Sequence, residues 1–426
     1  MPLAKFFRIT ACALICFNFL LWRRQIFQSL ILERLLKPPF DTCSTTTYHK
    51  LAMLSMKYGF PNARQDTCVH ELLDVAAAVD ASNELTLSEK SLKDPQWVSN
   101  RPFTGIQWII VVQVHDRLNY LKELIGSLEK VRGIGDALVV FSHDTYSAGA
   151  NAVVEAIHFC RTIQLLYPLR LELFQNFPNA DAANCSHENK GKCRRRDQLR
   201  SPKVASLAQI KHHWWWKAIQ VFEHIAPTMK YDGWVLFLED DHYVSADLLD
   251  VIKGIVSKKD SICKSCEFLV LGNYNPLNTY AKPTHVGVVP WFSSLHNLGL
   301  AFNKSVWLEV KKHAKVDFCT YNDYNWDWTL NYISMHVLPT RWMAIVAEKP
   351  RVFHVGDCGV HKTSGACTDM LAKVKQYLEK TFPPPTEVGS IEVHPMLPTH
   401  RKTSVPNGAW ADVRDHLLCL WNLDNA

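Results

Sequence analysis

Glu239-Asp240-Asp241-His242 closes a run of large apolar residues, Trp234 to Leu238. Apolar runs of that length with polar bounds read as buried strands, so three acids stand where a buried strand ends. Crowded together and stripped of water, they repel one another and call for a positive group beside them. Carboxylate oxygens suit Mg²⁺ or Mn²⁺, which keep open positions for phosphate oxygens. The chemistry that follows is a nucleotide-sugar site, with the metal acting as a Lewis acid on a departing diphosphate. The blander alternative is a helix start, because Ser245 and Asp247 precede "LLDVIKGIV" and could cap it. That accounts for the later residues better than for three acids on the strand itself.

Two further constellations carry chemistry. In "FCTYNDYNWDWTL" (318–330), Asp323 and Asp327 lie four apart among Tyr321, Tyr324, Trp326 and Trp328. Aromatic faces hold sugar rings, and a carboxylate among them can take a proton from an attacking hydroxyl. The same pattern also fits buried aromatics on an ordinary helix. In "RVFHVGDCGVHK" (351–362) a strand-like start leads to His354, either a structural histidine or a metal ligand from the other side of the acids.

These residues need elements to hold them. "IQWIIVVQVH" (106–115) reads as a buried strand, and "RLNYLKELIGSLEKV" (117–131) as a helix with Leu118, Leu121, Leu124, Ile125 and Leu128 on one face. "DALVVFSHD" (136–144) is the next strand, a helix covers about 148–160, and "LRLELF" (169–174) is a third strand. Strand–helix–strand alternation signals an α/β fold with a mostly parallel sheet flanked by helices. Ligands bind outside the carboxyl ends of such strands, here Gln113–Arg117, Asp144 and Glu239–Asp241. A helix is expected over "VASLAQIKHHWWWKAIQVFEHI" (204–225). Its Trp214-Trp215-Trp216 cannot share one helical face, which favours core and interface packing, whereas His212 and His213 could meet a phosphate or base. Neither a G-x-G-x-x-G after the first strand nor a Walker-type lysine loop is present, which argues against dinucleotide oxidoreductases and P-loop enzymes.

Composition bounds the rest. The chain has 426 residues, and its net charge of +6 is diffuse apart from Lys192–Arg196, which lies in a polar loop, so no nucleic acid is expected as a partner. After Lys5 and Arg8 comes "ITACALICFNFLLW" (9–22), then Arg23 and Arg24. This is short of the about 20 residues a membrane span usually needs, and a cleaved signal peptide competes with it. Trp22, Arg23 and Arg24 stand where a small-residue cleavage site would be needed, which favours an uncleaved signal anchor. Arg23 and Arg24 then lie outside, against the positive-inside tendency. The expected organisation is a cytoplasmic tail (1–8), a signal anchor (9–24), a stem (25–104) and a catalytic domain (105–426).

Of the 13 cysteines, all but Cys12 and Cys16 follow residue 40, as suits an oxidising compartment. Spacing pairs Cys185 with Cys193, Cys263 with Cys266 and Cys358 with Cys367. Cys263-Lys-Ser-Cys266 could be half of a zinc site, but no second C-x-x-C completes it. Sequons at Asn184 and Asn303 fit a lumenal chain.

Seven segments in order, "QVHDR", "IKHHWWWK", "FLEDDHY", "LHNLGLA", "FCTYNDYNWDWTL", "RVFHVGDCG" and "GAWADVRDHLLC", resemble the N-acetylglucosaminyltransferase II family over about 105–420. The resemblance implies a GT-A fold, a single-pass type II Golgi membrane protein, UDP-GlcNAc as donor, Mn²⁺ as cofactor and an N-glycan on glycoproteins as acceptor. It implies donor contacts from Gln113, Val114, His115, Asp116, Arg117 and Asp144, and from Gln209, Ile210, Lys211, His212 and His213. Asp241 and His354 take the metal-ligand positions and Asp327 that of the catalytic base, while Asn297, Tyr324, Trp326 and Asp197 fall on the acceptor side. A Cys319–Cys419 disulfide joins the three local pairs. The chain departs from the family in having Asp240 for Glu, a shorter Cys185–Cys193 loop, and Ala314 and Val337 in place of a further cysteine pair. Cys43, Cys68 and Cys160 have no assigned partner, and a homo-oligomer is left open.

The expected activity is inverting transfer of GlcNAc in β1,2 linkage to the α1,6-linked mannose. The rivals are β1,2 transfer to the α1,3-linked mannose, a glycosidase using two of the carboxylates, and a non-catalytic lumenal glycan-binding protein.

Overall fold

The computed structural model describes residues 105–145, 147–167, 202–274, 277, 282, 284–356, 370–381, 391–396 and 405–424. The expected tail (1–8), anchor (9–24) and stem (25–104), together with Asp197, Cys185–Cys193 and Cys358–Cys367, lie outside them.

Among the described residues the chain runs β1 (Trp108–Val114), α1 (Leu118–Leu128), β2 (Ala137–His143), α2 (Ala148–Glu155), β3 (Arg161–Leu166), α3 (Pro202–Ile219), β4 (Val235–Glu239) and β5 (His242–Val244). Next come α4 (Leu248–Cys263), β6 (Cys266–Val270), β7 (His285–Pro290), β8 (Leu300–Phe302), α5 (Lys304–Lys312), α6 (Trp326–Tyr332) and β9 (Met343–Ala347). The last elements are β10 (Val352–His354), α7 (Met370–Thr381), β11 (Glu392–Val393) and α8 (Val413–Asp424).

Nine strands form one sheet in the order β11-β7-β9-β6-β8-β4-β1-β2-β3, and β10 pairs with β5 in a second, two-stranded sheet. From β3 to β4 the large sheet is parallel, as the alternation of strands and helices predicts. The strand period of two sorts its side chains into two cores. Ile109, Val111, Leu138, Val140, Val235 and Phe237 face one layer with Trp214, Trp215 and Phe222. Ile110, Val112, Val139, Phe141, Leu236 and Leu238 face the other with Leu121, Leu124 and Leu128 of α1. Burial on both faces explains why these strands read as continuous apolar runs.

One strand was not expected, and the second helix is shorter than expected. β3 is Arg161–Leu166, and α2 ends at Glu155, short of the helix expected to 160. "RTIQLL" buries Arg161, Ile163 and Leu165 alternately, a half-polar pattern that hides a strand inside a seemingly helical stretch. "LRLELF" (169–174) lies outside the described residues. The tryptophan triplet is core. Trp214 stacks on Trp326, with centroids 4.5 Å apart, and Trp215 on Phe318 at 4.6 Å.

Cys263 and Cys266 form a disulfide across the α4–β6 turn, as do Cys319 and Cys419, which tie the segment before α6 to α8. Buried Ala314 and partly buried Val337 pack on one core, so apolar contact stands where a further cysteine pair was sought. Breaking Cys319–Cys419 by Cys419→Ser should cost roughly 2–5 kcal/mol, because the bond closes a long loop in the unfolded chain. The variant should therefore melt well below the wild type in non-reducing thermal denaturation. An unchanged melting temperature would show that the cross-link adds nothing beyond packing.

Candidate active site

The three acids occupy a tight turn between the two sheets. Glu239 ends β4 and His242 begins β5, leaving Asp240 and Asp241 in the connection. The Asp240 N–H donates to the Gln113 carbonyl at 2.9 Å, which extends the β1–β4 pairing into the turn. On the far side, β10 pairs with β5 so that His354 stands opposite His242, and the Val355 N–H donates to the Asp241 carbonyl at 2.9 Å. Residues more than a hundred positions apart are thereby brought beside one carboxylate.

Behind this register lies an ion pair. Asp247 holds the N-cap position of α4 without a side-chain cap bond and accepts instead from Arg351 Nε at 3.0 and 3.2 Å and from Ser245 Oγ at 2.7 Å. Arg351 is fully buried immediately before β10, so the residue expected to cap a helix anchors the strand that carries His354.

Positive groups answer the repulsion. Arg117 Nη1 meets Asp241 Oδ2, and His354 Nε2 lies 3.2 Å from the same oxygen. Burial alone would raise the Asp241 pKa. The hydrogen bond and charge of His354, then His242 and Arg117, outweigh it and hold the carboxyl at about 2. His354 is raised in return by Asp241. Glu239 is pushed up by its enclosure and by Asp241, and Asp240 by burial to about 7, although it accepts the His115 N–H at 2.8 Å. Glu239 is nevertheless open to solvent, so protein encloses it as the wall of a crevice rather than as a core.

The donor set fits a hard divalent cation. Asp241 Oδ1 is buried and has no hydrogen-bond partner, and neither has His242 Nε2. Glu239, Asp241 and His242 can bring three donor atoms within 4.8 Å of one another. Burial lowers His242 to about 4 and keeps its ring neutral, the form that ligates a metal. A Cβ at Gly356 would collide with Asp241 Oδ2, so glycine keeps the space beside that carboxylate clear. His242 was not among the metal-ligand residues expected from the sequence.

Only some of the expected donor residues meet at the strand ends. His115 Nδ1 lies 2.7 Å from Asp144 Oδ1, an interaction that raises the ring to about 9 and makes it cationic at neutral pH. Asp116 is exposed beside it, and Val114 is core, with its carbonyl accepting the Asp144 N–H at 3.1 Å. On α3, Gln209 donates to the Asp144 carbonyl at 3.4 Å, and His213 lies 3.8 Å from its carboxylate. Burial keeps His213 well below its ordinary pKa, hence neutral.

The neighbours on α3 turn elsewhere. Ile210 packs on the core, Lys211 donates to the Tyr321 and Asp323 carbonyls at 3.1 Å, and His212 lies 2.7 Å from Asp415 Oδ1. A helix period of 3.6 separates 209 and 213 from 211 and 212. One turn on from 213, Lys217 donates to Gln113 Oε1 at 2.6 Å, and burial lowers its pKa to about 7. Lys217 was missed in the sequence because a lysine within a tryptophan-rich helix reads as a solvated face.

Asp327 opens α6, buried, and its Oδ2 accepts from Asn297 Nδ2 at 3.0 Å. Tyr274, also missed, donates to Asn297 Oδ1 at 2.7 Å, so the amide is fixed between phenol and carboxylate. Burial raises Asp327 from 3.8 to about 7, with Asn297 and the Trp328 N–H opposing and the charges of Asp323 and Glu239 adding. Such a carboxyl is poised to exchange a proton near neutrality. Trp326 gives one face to Trp214, and the buried Tyr324 donates its N–H to the Gly408 carbonyl at 3.0 Å.

The sequence profile of the N-acetylglucosaminyltransferase II family matches residues 87–419. The alpha-1,6-mannosyl-glycoprotein 2-beta-N-acetylglucosaminyltransferase of Mus musculus is 38% identical over 332 residues, covering 73% of each chain. The protein of that name from Homo sapiens is 36% identical over 330 residues, covering 73% of this chain and 72% of its own. Its counterpart in Arabidopsis thaliana is 29% identical over 324 residues, covering 73% and 74%.

Proposed function

This chain belongs to the N-acetylglucosaminyltransferase II family, and from that premise we propose that it transfers GlcNAc from UDP-GlcNAc, in β1,2 linkage, to the α1,6-linked mannose of an N-glycan. The observation that carries the assignment of roles is the separation of two kinds of carboxylate. Asp241 is held fully ionised among Arg117, His354 and His242, whereas Asp327 is buried away from cations and titrates at about 7.

Asp241 and His354, with Glu239 and His242 in reach, would hold Mn²⁺. A bound divalent cation supplies neutralisation of the donor diphosphate. Cationic His115 and Arg117, together with Lys217, add positive charge at the same strand ends, where Asp144, Gln209 and His213 shape the uridine side. Asp327 takes the proton of the mannose C2 hydroxyl as that oxygen bonds to GlcNAc C1, and the C1–O bond to UDP breaks with its electrons leaving on the diphosphate. One displacement from the opposite face inverts the anomeric centre. Asn297 holds Oδ2 of Asp327 and so fixes the carboxylate that takes the proton.

We assign residues 105–426 to a lumenal catalytic domain and 9–24 to a Golgi membrane anchor. The two disulfides among the described residues support an oxidising compartment. No helix among the described residues is long and apolar enough to cross a membrane.

The test is incubation of the protein with UDP-GlcNAc, Mn²⁺ and defined N-glycans ending in α1,3- or α1,6-linked mannose. One GlcNAc should appear on the α1,6 arm with one UDP released, and chelation should stop it. Transfer to the α1,3 arm, or hydrolysis of the glycan without donor, would replace this assignment with a rival.

A further inference from the structure

A second cluster of metal-binding chemistry lies where β7, β9 and β11 meet, on the opposite edge of the sheet from β3. His285 begins β7, Glu348 follows β9, and Glu392 and His394 belong to the β11 segment. The pairing explains the meeting. Glu392 lies opposite His285 in register, the Glu348 N–H donates to the His285 carbonyl at 3.0 Å, and the His394 N–H donates to the Val286 carbonyl at 2.8 Å. Glu392 and His394 are two apart and share a strand face.

Donor atoms of His285, Glu348 and His394 all lie within 4.8 Å of one another. His285 Nδ1 is 3.1 Å and His394 Nδ1 3.9 Å from the same oxygen, Glu348 Oε2, and His285 Nε2 is 3.4 Å from Glu392 Oε2. Four-coordinate Zn²⁺, with bonds of about 2.0–2.2 Å, holds its donors roughly 3.4 Å apart, which 3.1 and 3.9 Å bracket. Glu348 Oε2 is shielded from solvent, yet it makes no aligned hydrogen bond despite that proximity. A cation among these donors would supply the partner that the buried Glu348 Oε2 lacks. The rings lie nearly face to face, with centroids 5.0 Å apart at 27°.

We propose that His285, Glu348 and His394 form a second cation site, selective for a borderline divalent transition metal such as Zn²⁺, that clamps the β11 segment to the sheet. Two imidazoles and one carboxylate suit Zn²⁺ and disfavour the oxygen-loving Mg²⁺ and Ca²⁺. β11 has only two strand residues, Glu392 and Val393, so a shared cation would add a cross-link where the sheet pairing is short. The segment is also held by Ile391, buried in one core, by the Glu392 N–H donating to the Thr284 carbonyl at 2.9 Å, by Lys258 Nζ donating to the Ile391 carbonyl at 3.2 Å and by Met396 lying over Gly287. This site is independent of the transferase assignment.

The experiment uses the whole protein carrying Asp241→Asn, stripped of metal, so that the strand-end site does not compete. Calorimetric titration should find one Zn²⁺ site, and His394→Ala should weaken it by at least about 100-fold, the upper end of what even indirect ligand partners cost. Zn²⁺ but not Mg²⁺ should raise the melting temperature, an effect that both His394→Ala and Glu348→Gln should remove. Co²⁺ should give the visible absorption of a four-coordinate ion only while His394 is present. Folding of each variant is checked by retained Mn²⁺-dependent UDP binding in the chain with Asp241 intact. Absence of Zn²⁺ binding in the Asp241→Asn protein, or binding and melting unchanged by both substitutions, would overturn the proposal.

Discussion

Asp327→Asn is expected to leave UDP-GlcNAc binding intact and to lower kcat by at least about 10²–10⁴-fold, the usual contribution of a general base. A base that also orients the nucleophile, as proposed for Asp327, would take the loss beyond that range. An amide accepts a hydrogen bond but cannot take a proton at neutral pH, and Asn297 still has an oxygen to donate to. If the variant keeps more than about a tenth of the wild-type kcat, less than the smallest loss a general base should show, the base lies elsewhere. Glu239 would then be the remaining acid. Asp323 is removed from contention because its Oδ1 accepts from Asn325 and its Oδ2 accepts two bonds from Asn407.

The pH dependence of both activity and stability follows from the raised pKa of Asp327. In the proposed reaction the base is the ionised carboxylate, so kcat/KM should rise with pH through about 7. For stability, the unfolded carboxyl ionises from 3.8 upward while the folded one keeps its proton to about 7. The native state binds more protons over that window, so its stability falls as pH rises from 3.8 to about 7 and then levels. Asn carries no such loss, and the inactive variant should melt above the wild type at alkaline pH. A lower melting temperature there would show that Asp327 is not held against its ionisation.

Asp241→Asn should abolish metal-dependent UDP binding. The substitution removes a charge from the diphosphate clamp and takes the negative partner from Arg117 and His354. Loss of an indirect partner of a metal ligand already costs about 10–100-fold in affinity, so a lost ligand should cost at least the upper figure. Calorimetric titration of UDP with and without Mn²⁺ measures the effect, and equal affinity in the two proteins would refute the role of Asp241. In the wild type the same affinity should weaken on acidification. Asp241 raises the His354 pKa, and a protonated imidazole cannot ligate.

The chemistry was more legible than the supports. Local composition marks Asp241, Asp327 and His354 as candidates but leaves a helix start, buried aromatics or a structural histidine equally open, and their roles come from the family resemblance of the stretches that hold them. Lys217, Tyr274 and His242 carry no such signal, because a lone lysine, tyrosine or histidine acquires a role only from what packs against it. Asp247 illustrates the same limit from the other side. Its position before "LLDVIKGIV" reads as a helix cap, yet its carboxylate goes to Arg351, more than a hundred residues away.

The sequence by itself determined the class of fold, the strand–helix order around β1, α1 and β2, the acidic strand end and the burial of the Trp214–Trp216 triplet. These follow from periodicity and side-chain volume, which act over a few residues and are written in any window of the chain. Tertiary structure alone decided that His354 stands opposite His242, that Gln209 and His213 face Asp144 while Lys211 and His212 turn to Asp323 and Asp415, and that His285, Glu348 and His394 converge. Those outcomes depend on strand register and on the rotation of α3 against its neighbours. A one-residue slip in register, or one residue's rotation on a helix, exchanges which side chains meet. That choice is made by the two cores on either side of the sheet, whose packing sums contacts from the whole chain.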